Sequence, residues 1–277
     1  MAHEQTIAAY YDRLSRWSCL MSALGRAPDG ASVHRALADP RASGRATGTR
    51  IHDVIVDHLP PKRAPRVLDA GCGLGGTIMA LAPRLGGQYV GITLSPRQAR
   101  AAIRAVERAG LSRSVEILTC SFDKPPAGPF DLVVAIESFA HSADPTSTLS
   151  AIAARCAPGC LLVVVDDMPE AKDGESVELA RFKAGWQCPV LWSGSAYRSA
   201  LGALGASILV DHDLTEECRP RSLGGIRRLE WLNRTLWQVI PASGWRALMD
   251  SHYGGLALER LYRSGHVRYR LLIAKLP

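Results

Sequence analysis

The stretch "FDLVVAIESFAH" places Glu137 and His141 four residues apart, directly behind an apolar run. A carboxylate and an imidazole so placed can take up a proton or stabilise positive charge on a bound molecule. Each could equally be a capping or loop residue. A second stretch, "VLDAGCGLGG" at 67–76, sets Asp69 ahead of glycines at 71, 73, 75 and 76. Glycines there sacrifice about 0.5 to 1 kcal/mol each where the backbone is ordered as regular structure, and a tight turn alone would need only one or two. A strand that runs through such a loop into a helix presents backbone N–H groups and the positive helix end to a ligand. The continuation Gly76-Thr77-Ile78 lacks the lysine of a phosphate-binding GxxxxGK[ST] loop. Gly71, Gly73 and Gly76 do satisfy GxGxxG, a weak match by itself. Asp69 separates the ligands: its charge would repel a pyrophosphate and would suit a cation bearing amine and hydroxyl groups.

These residues need a scaffold, and the chain from Arg66 onward supplies its pattern. Short apolar runs, "RVLDAG", "QYVGIT", "SVEILTC", "FDLVVAIE" and "CLLVVVDD", alternate with helical stretches around 77–84, 96–109 and 145–156. Continuous apolar strands between helices predict a parallel sheet buried on both faces. "ASILVDHDL" at 206–214 and "VRYRLLIAKL" at 267–276 bring the strands to seven. The fifth and sixth strands are followed by about 35 and about 50 residues, where two to six are usual. Segments 168–205 and 215–266 are therefore expected to be helical insertions that build a substrate pocket. In the second, Leu229, Leu232, Leu236 and Ile240 fall on one helical stripe beside Trp237, facing either the core or a pocket wall. Residues 1–60 read as an N-terminal helical cap and 61–277 as the main domain.

Composition narrows the class. With 47% hydrophobic residues the chain can bury a full core, yet runs such as Leu161 to Val165 fall far short of the roughly 20 residues of a membrane-spanning helix. The first residues carry acid and no apolar signal core, so a soluble cytoplasmic protein is expected. Seven cysteines, an odd number without a CxxC pair, predict reduced thiols and no structural metal. The formal charge of +7 arises from dispersed lysines and arginines, which predicts a solvated basic surface rather than a nucleic-acid partner.

The glycine loop resembles the first motif of the class I S-adenosylmethionine-dependent methyltransferases nearly letter for letter, and the resemblance extends over about residues 64–170. It implies a Rossmann-like α/β fold, a seven-stranded mostly parallel sheet with helices on both faces, and S-adenosylmethionine as cofactor. It also implies that Gly71, Cys72 and Gly73 lie along the methionine portion, with Asp69 anchoring the loop and the amino group. Where many members end the second strand on an acid, "GITLSPRQ" is similar instead to the branch of sterol, tocopherol and geranyl diphosphate C-methyltransferases. That similarity implies Thr93, Leu94 and Gln98 at the ribose, since a neutral Thr or Gln can accept from a hydroxyl. Alignment by eye puts Ser121 and Phe122 at the adenine, with Asp123 two positions later; Phe122 covers the base or belongs to the core.

In the same branch Glu137 borders the cofactor and is the expected base or cation stabiliser, with His141 second. Tyr10 and Tyr11 resemble paired tyrosines that close over the donor or face a cation, unless they merely pack. Trp186, Trp192 and Trp237 are the expected acceptor wall, and Asp166-Asp167 either reach the site or cap the fifth strand. Arg219, Arg221, Arg227 and Arg228 would bind phosphate, and Mg²⁺ would enter, only if the substrate were a diphosphate. The implied reaction is C-methylation of an isoprenoid or related secondary metabolite through a carbocation quenched by a base. N- or O-methylation of a small amine, phenol or carboxylate is the alternative. In another class stands a non-catalytic cofactor- or nucleic-acid-binding protein on the same fold. A small-molecule acceptor is the expected partner, and a homo-oligomer is left open.

Overall fold

Every apolar run of the sequence becomes a strand of one sheet: β1 (Arg66–Ala70), β2 (Gln88–Thr93), β3 (Val115–Thr119), β4 (Phe130–Ile136), β5 (Cys156–Pro169), β6 (Ser207–Asp213) and β7 (Val267–Lys275). The computed structural model describes residues 2–23, 34–39, 46–60, 64–170, 176–237 and 242–277, with side chains described at 4–14, 34–39, 46–60, 64–170, 176–235 and 249–277. The strand order is β3-β2-β1-β4-β5-β7-β6. β1 to β5 pair in parallel, whereas β7 runs antiparallel between β5 and β6. The chain leaves β1 in one direction and later returns on its other side as β4. The connections after these two strands therefore diverge and open a crevice at their carboxyl ends.

The helices are α1 (Ala2–Ala23), α2 (Arg50–His58), α3 (Gly76–Leu85), α4 (Pro96–Arg108), α5 (Pro145–Ala153), α6 (Val177–Trp186), α7 (Gly194–Ala203), α8 (Leu223–Trp237) and α9 (Ala242–Ser264), with 3₁₀ turns at Phe139–His141 and Thr215–Cys218. Several begin where the sequence supplies a cap. Ser95 accepts from the Gln98 N–H at 3.0 Å to start α4, and Asp144 accepts from Thr146 and Ser147 to start α5; both are followed by proline, whose missing N–H costs nothing at a first helical position.

Alternate residues of the central strands feed two cores, one on each face. Val67 and Val163 join Ile51, Ile55 and Ile78 on one side, while Leu68 and Val164 join Phe139, Leu149 and Tyr197 on the other. That double burial explains why these strands read as continuous apolar runs rather than as alternating ones. α2 shares the core of β1 through Ile51 and Ile55, and α1 packs across α4 and α9.

The two insertions meet where α6 crosses α9. A Cβ on Gly185 would stand 2.4 Å from the Asp250 carbonyl oxygen, and one on Gly254 would stand 2.6 Å from Trp186 Cδ1. The crossing is close enough for the Trp186 indole N–H to donate to the Ser251 carbonyl at 2.9 Å. α8 is rotated from the stripe expected of it: Ile226 and Asn233 are buried, but Leu232 is 39% exposed. Arg260 of α9 pairs with Glu230 of α8 at 2.5 Å. Leu236 has no described side chain and Ile240 lies outside the described residues. Among the described residues no helix is long and apolar enough to cross a membrane, the described cysteines are free thiols, and no group of three or more His, Cys, Asp and Glu could hold a metal ion.

The crossing yields a stability prediction. Gly254→Ala should destabilise the protein by about 1–3 kcal/mol through overpacking against Trp186, read as a lower urea midpoint at unchanged slope; an unchanged midpoint would mean that α9 shifts without cost.

Candidate active site

A cavity of about 250 Å³ opens at the carboxyl ends of the parallel strands. The loops after β1, β2, β3 and β4 supply one part of its wall, and α1, α6, α9 and the segment at His34 supply other parts.

The loop after β1 is a left-handed turn. Gly71, Gly73 and Gly75 have φ of 106°, 52° and 87°, a region that side chains larger than hydrogen seldom tolerate. The N–H groups of Gly71 and Cys72 both donate to the Ile92 carbonyl, at 3.0 and 2.8 Å, folding the loop over the end of β2. A Cβ on Gly71 would lie 2.5 Å from Ser138 Cβ, whereas one on Gly73 would meet nothing nearer than 3.9 Å. Gly71 is thus bare because another loop presses on it, and Gly73 leaves open main chain at the cavity. Asp69 lies beneath, 3% exposed and off the cavity wall. Its Oδ2 has no hydrogen-bond partner among the described residues, and burial pushes its carboxyl up to about 7.

Thr93, Leu94 and Gln98 reach the cavity from the end of β2 and the start of α4. The Thr93 hydroxyl donates to Gln98 Oε1 at 2.8 Å. With that carbonyl oxygen engaged, Gln98 presents its amide N–H donors rather than the acceptor expected from sequence. Phe122 lines the cavity edge-on to Phe139, with centroids 5.7 Å apart. Ser121 is buried but off the wall, accepting from the Asp123 N–H at 3.1 Å. The Asp123 carboxylate accepts from Thr148 of α5 and so is directed away from the cavity.

Glu137 and His141 face the same cavity. Glu137 adopts φ of 52°, and its N–H donates to the Val165 carbonyl at 2.8 Å. Its Oε1 accepts from the Arg35 N–H at 2.9 Å and from the Tyr269 hydroxyl at 2.7 Å. His141 sits between Tyr11 and Gln187: Nε2 is 2.5 Å from the Tyr11 hydroxyl, and Nδ1 is 3.2 Å from the Gln187 carbonyl. A carbonyl can only accept, so Nδ1 carries the hydrogen and Nε2 offers its lone pair to the tyrosine. Gln187 turns its carbonyl there from a left-handed φ of 55° that ends α6. Burial holds the Tyr11 hydroxyl well above its ordinary pKa and pushes Tyr10 up to about 12. Tyr10 donates to the Gly185 carbonyl at 3.1 Å, tying α1 to the insertion wall beside Trp186.

Several expected participants stand elsewhere. Trp192 packs edge-on against Tyr197, 5.3 Å between centroids, in the core on the other face of the sheet. Trp237 ends α8 and its side chain lies outside the described residues. Asp166 accepts from the Ala140 N–H at 3.1 Å and is pushed up to about 8 by burial, while Asp167 accepts from Tyr262; neither lines the cavity. Arg219, Arg227 and Arg228 are exposed and Arg221 pairs with Glu259. Among the described residues the cavity wall holds one carboxylate, Glu137, and no lysine or arginine. That donor set does not fit a magnesium-bound diphosphate.

The structure also adds residues that no local motif announces. Ser138 lines the cavity with its hydroxyl unpartnered. His34 lines it too, its Nε2 3.0 Å from the Thr77 hydroxyl, with His52 Nε2 3.3 Å from the same oxygen. Desolvation lowers both imidazoles to about 4, so the pair is neutral at ordinary pH.

A family model described as a methyltransferase domain matches residues 32–209. A probable chloroplastic tocopherol O-methyltransferase of Oryza sativa subsp. japonica is 29% identical over 227 residues, covering 78% of this chain and 62% of that protein. The 24-methylenesterol C-methyltransferase 2 of Arabidopsis thaliana is 28% identical over 227 residues, with the same coverage of 78% and 62%. The match thus spans 62% of the length of these curated relatives. A geranyl diphosphate C-methyltransferase from Streptomyces coelicolor A3(2), solved with Mg²⁺, geranyl-S-thiolodiphosphate and S-adenosyl-L-homocysteine, superposes with a TM-score of 0.76 at 19% identity, over 100% of this chain and 99% of that one. At that identity the likeness is one of fold.

The buried carboxyl of Asp69 carries a pH prediction. Its folded pKa of about 7 exceeds the ordinary aspartate value of 3.8, so the unfolded chain releases the proton first. The stability it contributes is complete below the lower value and is lost as pH rises through the higher one. Asp69→Asn should therefore gain on the native protein between pH 5 and pH 8 in urea unfolding. A difference that stays constant across that range would contradict the account.

Proposed function

The chain belongs to the methyltransferase-domain family, the class I S-adenosylmethionine-dependent enzymes, and on that premise we propose that it methylates a small, largely apolar acceptor held against Tyr10, Tyr11 and Trp186. Bound S-adenosylmethionine would supply an electrophilic methyl group on a sulfonium. The residues present fit that group: the left-handed turn offers open backbone at Gly73, and the Thr93–Gln98 pair supplies amide donors. Cys72, Leu94 and Phe122 complete that part of the wall.

The finer reading is C-methylation of an isoprenoid or related secondary metabolite. One observation carries it: Glu137 and the Tyr11–His141 pair open onto the same cavity as the glycine loop. Direct displacement needs alignment more than acid or base. When an alkene carbon gains the methyl group, the neighbouring carbon becomes a cation, and a C–H bond must then release its proton while its electrons reform the alkene. Glu137, with two donors on Oε1, is suited to stabilise the cation as a fixed negative charge. The proton acceptor is then His141 through Nε2, whose hydrogen-bearing Nδ1 is held by the Gln187 carbonyl, with Tyr11 as its gate. The rings of Tyr10, Tyr11 and Trp186 add faces that favour positive charge.

A second reading has its own support. The His141–Tyr11 pair would equally deprotonate a phenol, and one relative is named an O-methyltransferase. Incubation with methyl-labelled cofactor and a panel of sterols, quinols, prenyl diphosphates and small amines, followed by mass spectrometry and NMR, separates C-methyl from O-methyl products. An apolar sterol or quinol should take the label and diphosphates should not; a labelled prenyl diphosphate would reverse the substrate assignment. Glu137→Gln should lower turnover about 10²-fold or more with adenosylhomocysteine affinity preserved, whereas Gly71→Val should abolish calorimetric binding. Native turnover in the first variant would remove Glu137 from the chemistry.

A further inference from the structure

Behind the cavity wall lies a buried charged network that the reaction itself does not call for. Both hydrogen bonds to Glu137 converge on one oxygen, Oε1, from donors 102 and 132 residues away in the chain. The first donor is the backbone N–H of Arg35 and the second the Tyr269 hydroxyl, and each is held through its side chain or segment. The Arg35 guanidinium lies over the rings of Tyr262 and Tyr269, 5.1 and 5.6 Å from their centroids, and 3.5 Å from Asp167 Oδ2. Asp167 accepts in turn from the Tyr262 hydroxyl. The Arg35 segment is pinned at its far end, where Leu37 pairs with Thr47 in both directions and the Ala38 N–H donates to the Glu217 carbonyl at 2.9 Å. The backbone of Glu137 is anchored from the opposite side by Val165.

A carboxylate capped twice on one oxygen and fixed at its backbone has one orientation, and its second oxygen is the one left for the cavity that Glu137 lines. Arg35 offsets Asp167, which would otherwise stand as a second buried negative charge beside Glu137. Resting on the functional reading above, we propose that Arg35 and Tyr269 are positioning residues that hold Glu137 as a directed anion, making the cavity discriminate the cationic cofactor from its neutral product. Methyl transfer turns a sulfonium into a thioether and removes the positive charge. A fixed anion grips the first and loses its attraction to the second, so the network favours exchange of spent cofactor for fresh.

The test is calorimetry on the full chain with S-adenosylmethionine and with adenosylhomocysteine, for the native protein, Tyr269→Phe, Arg35→Lys and Arg35→Met, each checked by thermal melting. Tyr269→Phe removes one hydroxyl and keeps the ring, so it should lower the ratio of the two affinities by about threefold to tenfold, with adenosylhomocysteine binding within about twofold of native. Arg35→Met keeps the backbone N–H on Oε1 and removes only the guanidinium that seats its segment, so it should lower the ratio less than Tyr269→Phe does, and Arg35→Lys should restore part of it. If Arg35→Met fails to fold, Tyr269→Phe alone decides. A native ratio in folded Tyr269→Phe overturns the proposal. Equal losses for both ligands also overturn it, since they mark a structural role without charge selection. Native protein that binds neither ligand overturns the functional reading and this proposal with it.

Discussion

The approach of Gly71 to Ser138 is the constraint on which the site depends. β1 and β4 are neighbours, with Leu68 beside Val133, and their loops must part at the top of the sheet while still touching at one point. A hydrogen in place of a methyl group at residue 71 allows that touch. The two loops are then held in a common frame, so the glycine turn on one side and Glu137 on the other keep a fixed separation. Had the first loop carried a side chain there, the second would be displaced, and with it the only carboxylate on the described cavity wall.

Burial sorts the acids around this point into two kinds. Among the described residues no cation stands against Asp69 or Asp166, and desolvation raises both towards or past neutrality. Asp167 and Glu137 have Arg35 and tyrosine hydroxyls against them. Proximity to the cavity therefore does not by itself create a working charge. What distinguishes Glu137 is the combination of cavity exposure with two donors, and of strained backbone with a firm anchor at Val165.

Much of this was legible in the sequence, because the relevant signals were local. Seven apolar runs, the helical stretches between them and the spacing of the glycines each follow from neighbouring residues, and the structure forms strands, helices and a left-handed turn at those places. Glu137, His141, Tyr10, Tyr11 and Trp186 also reach the cavity. The misses share a physical cause. Arg35, His34 and Tyr269 act across more than forty, a hundred or more positions of chain, and no short motif encodes such pairing. Trp192 and Leu232 went astray because composition tells which residues are apolar but not which face of a sheet or helix they meet. Tyr197 draws Trp192 to the far side, and Leu232 faces outward on α8, where Glu230 pairs with Arg260.

The antiparallel placement of β7 has a consequence for how such a protein can diverge. After β6 the chain makes an excursion, α8 and α9, and re-enters the sheet in the slot between β5 and β6 without a crossover. That excursion meets α6 through two bare glycines and sends Ala257, Leu258 and Leu261 of α9 into the core on one face of the sheet. Away from those contacts it behaves as a cassette: turns can be added, shortened or rewritten there while the pairing of β1 with β4 keeps its register. Selectivity for one guest molecule over another can then drift freely, with the donor grip left as a stable chassis.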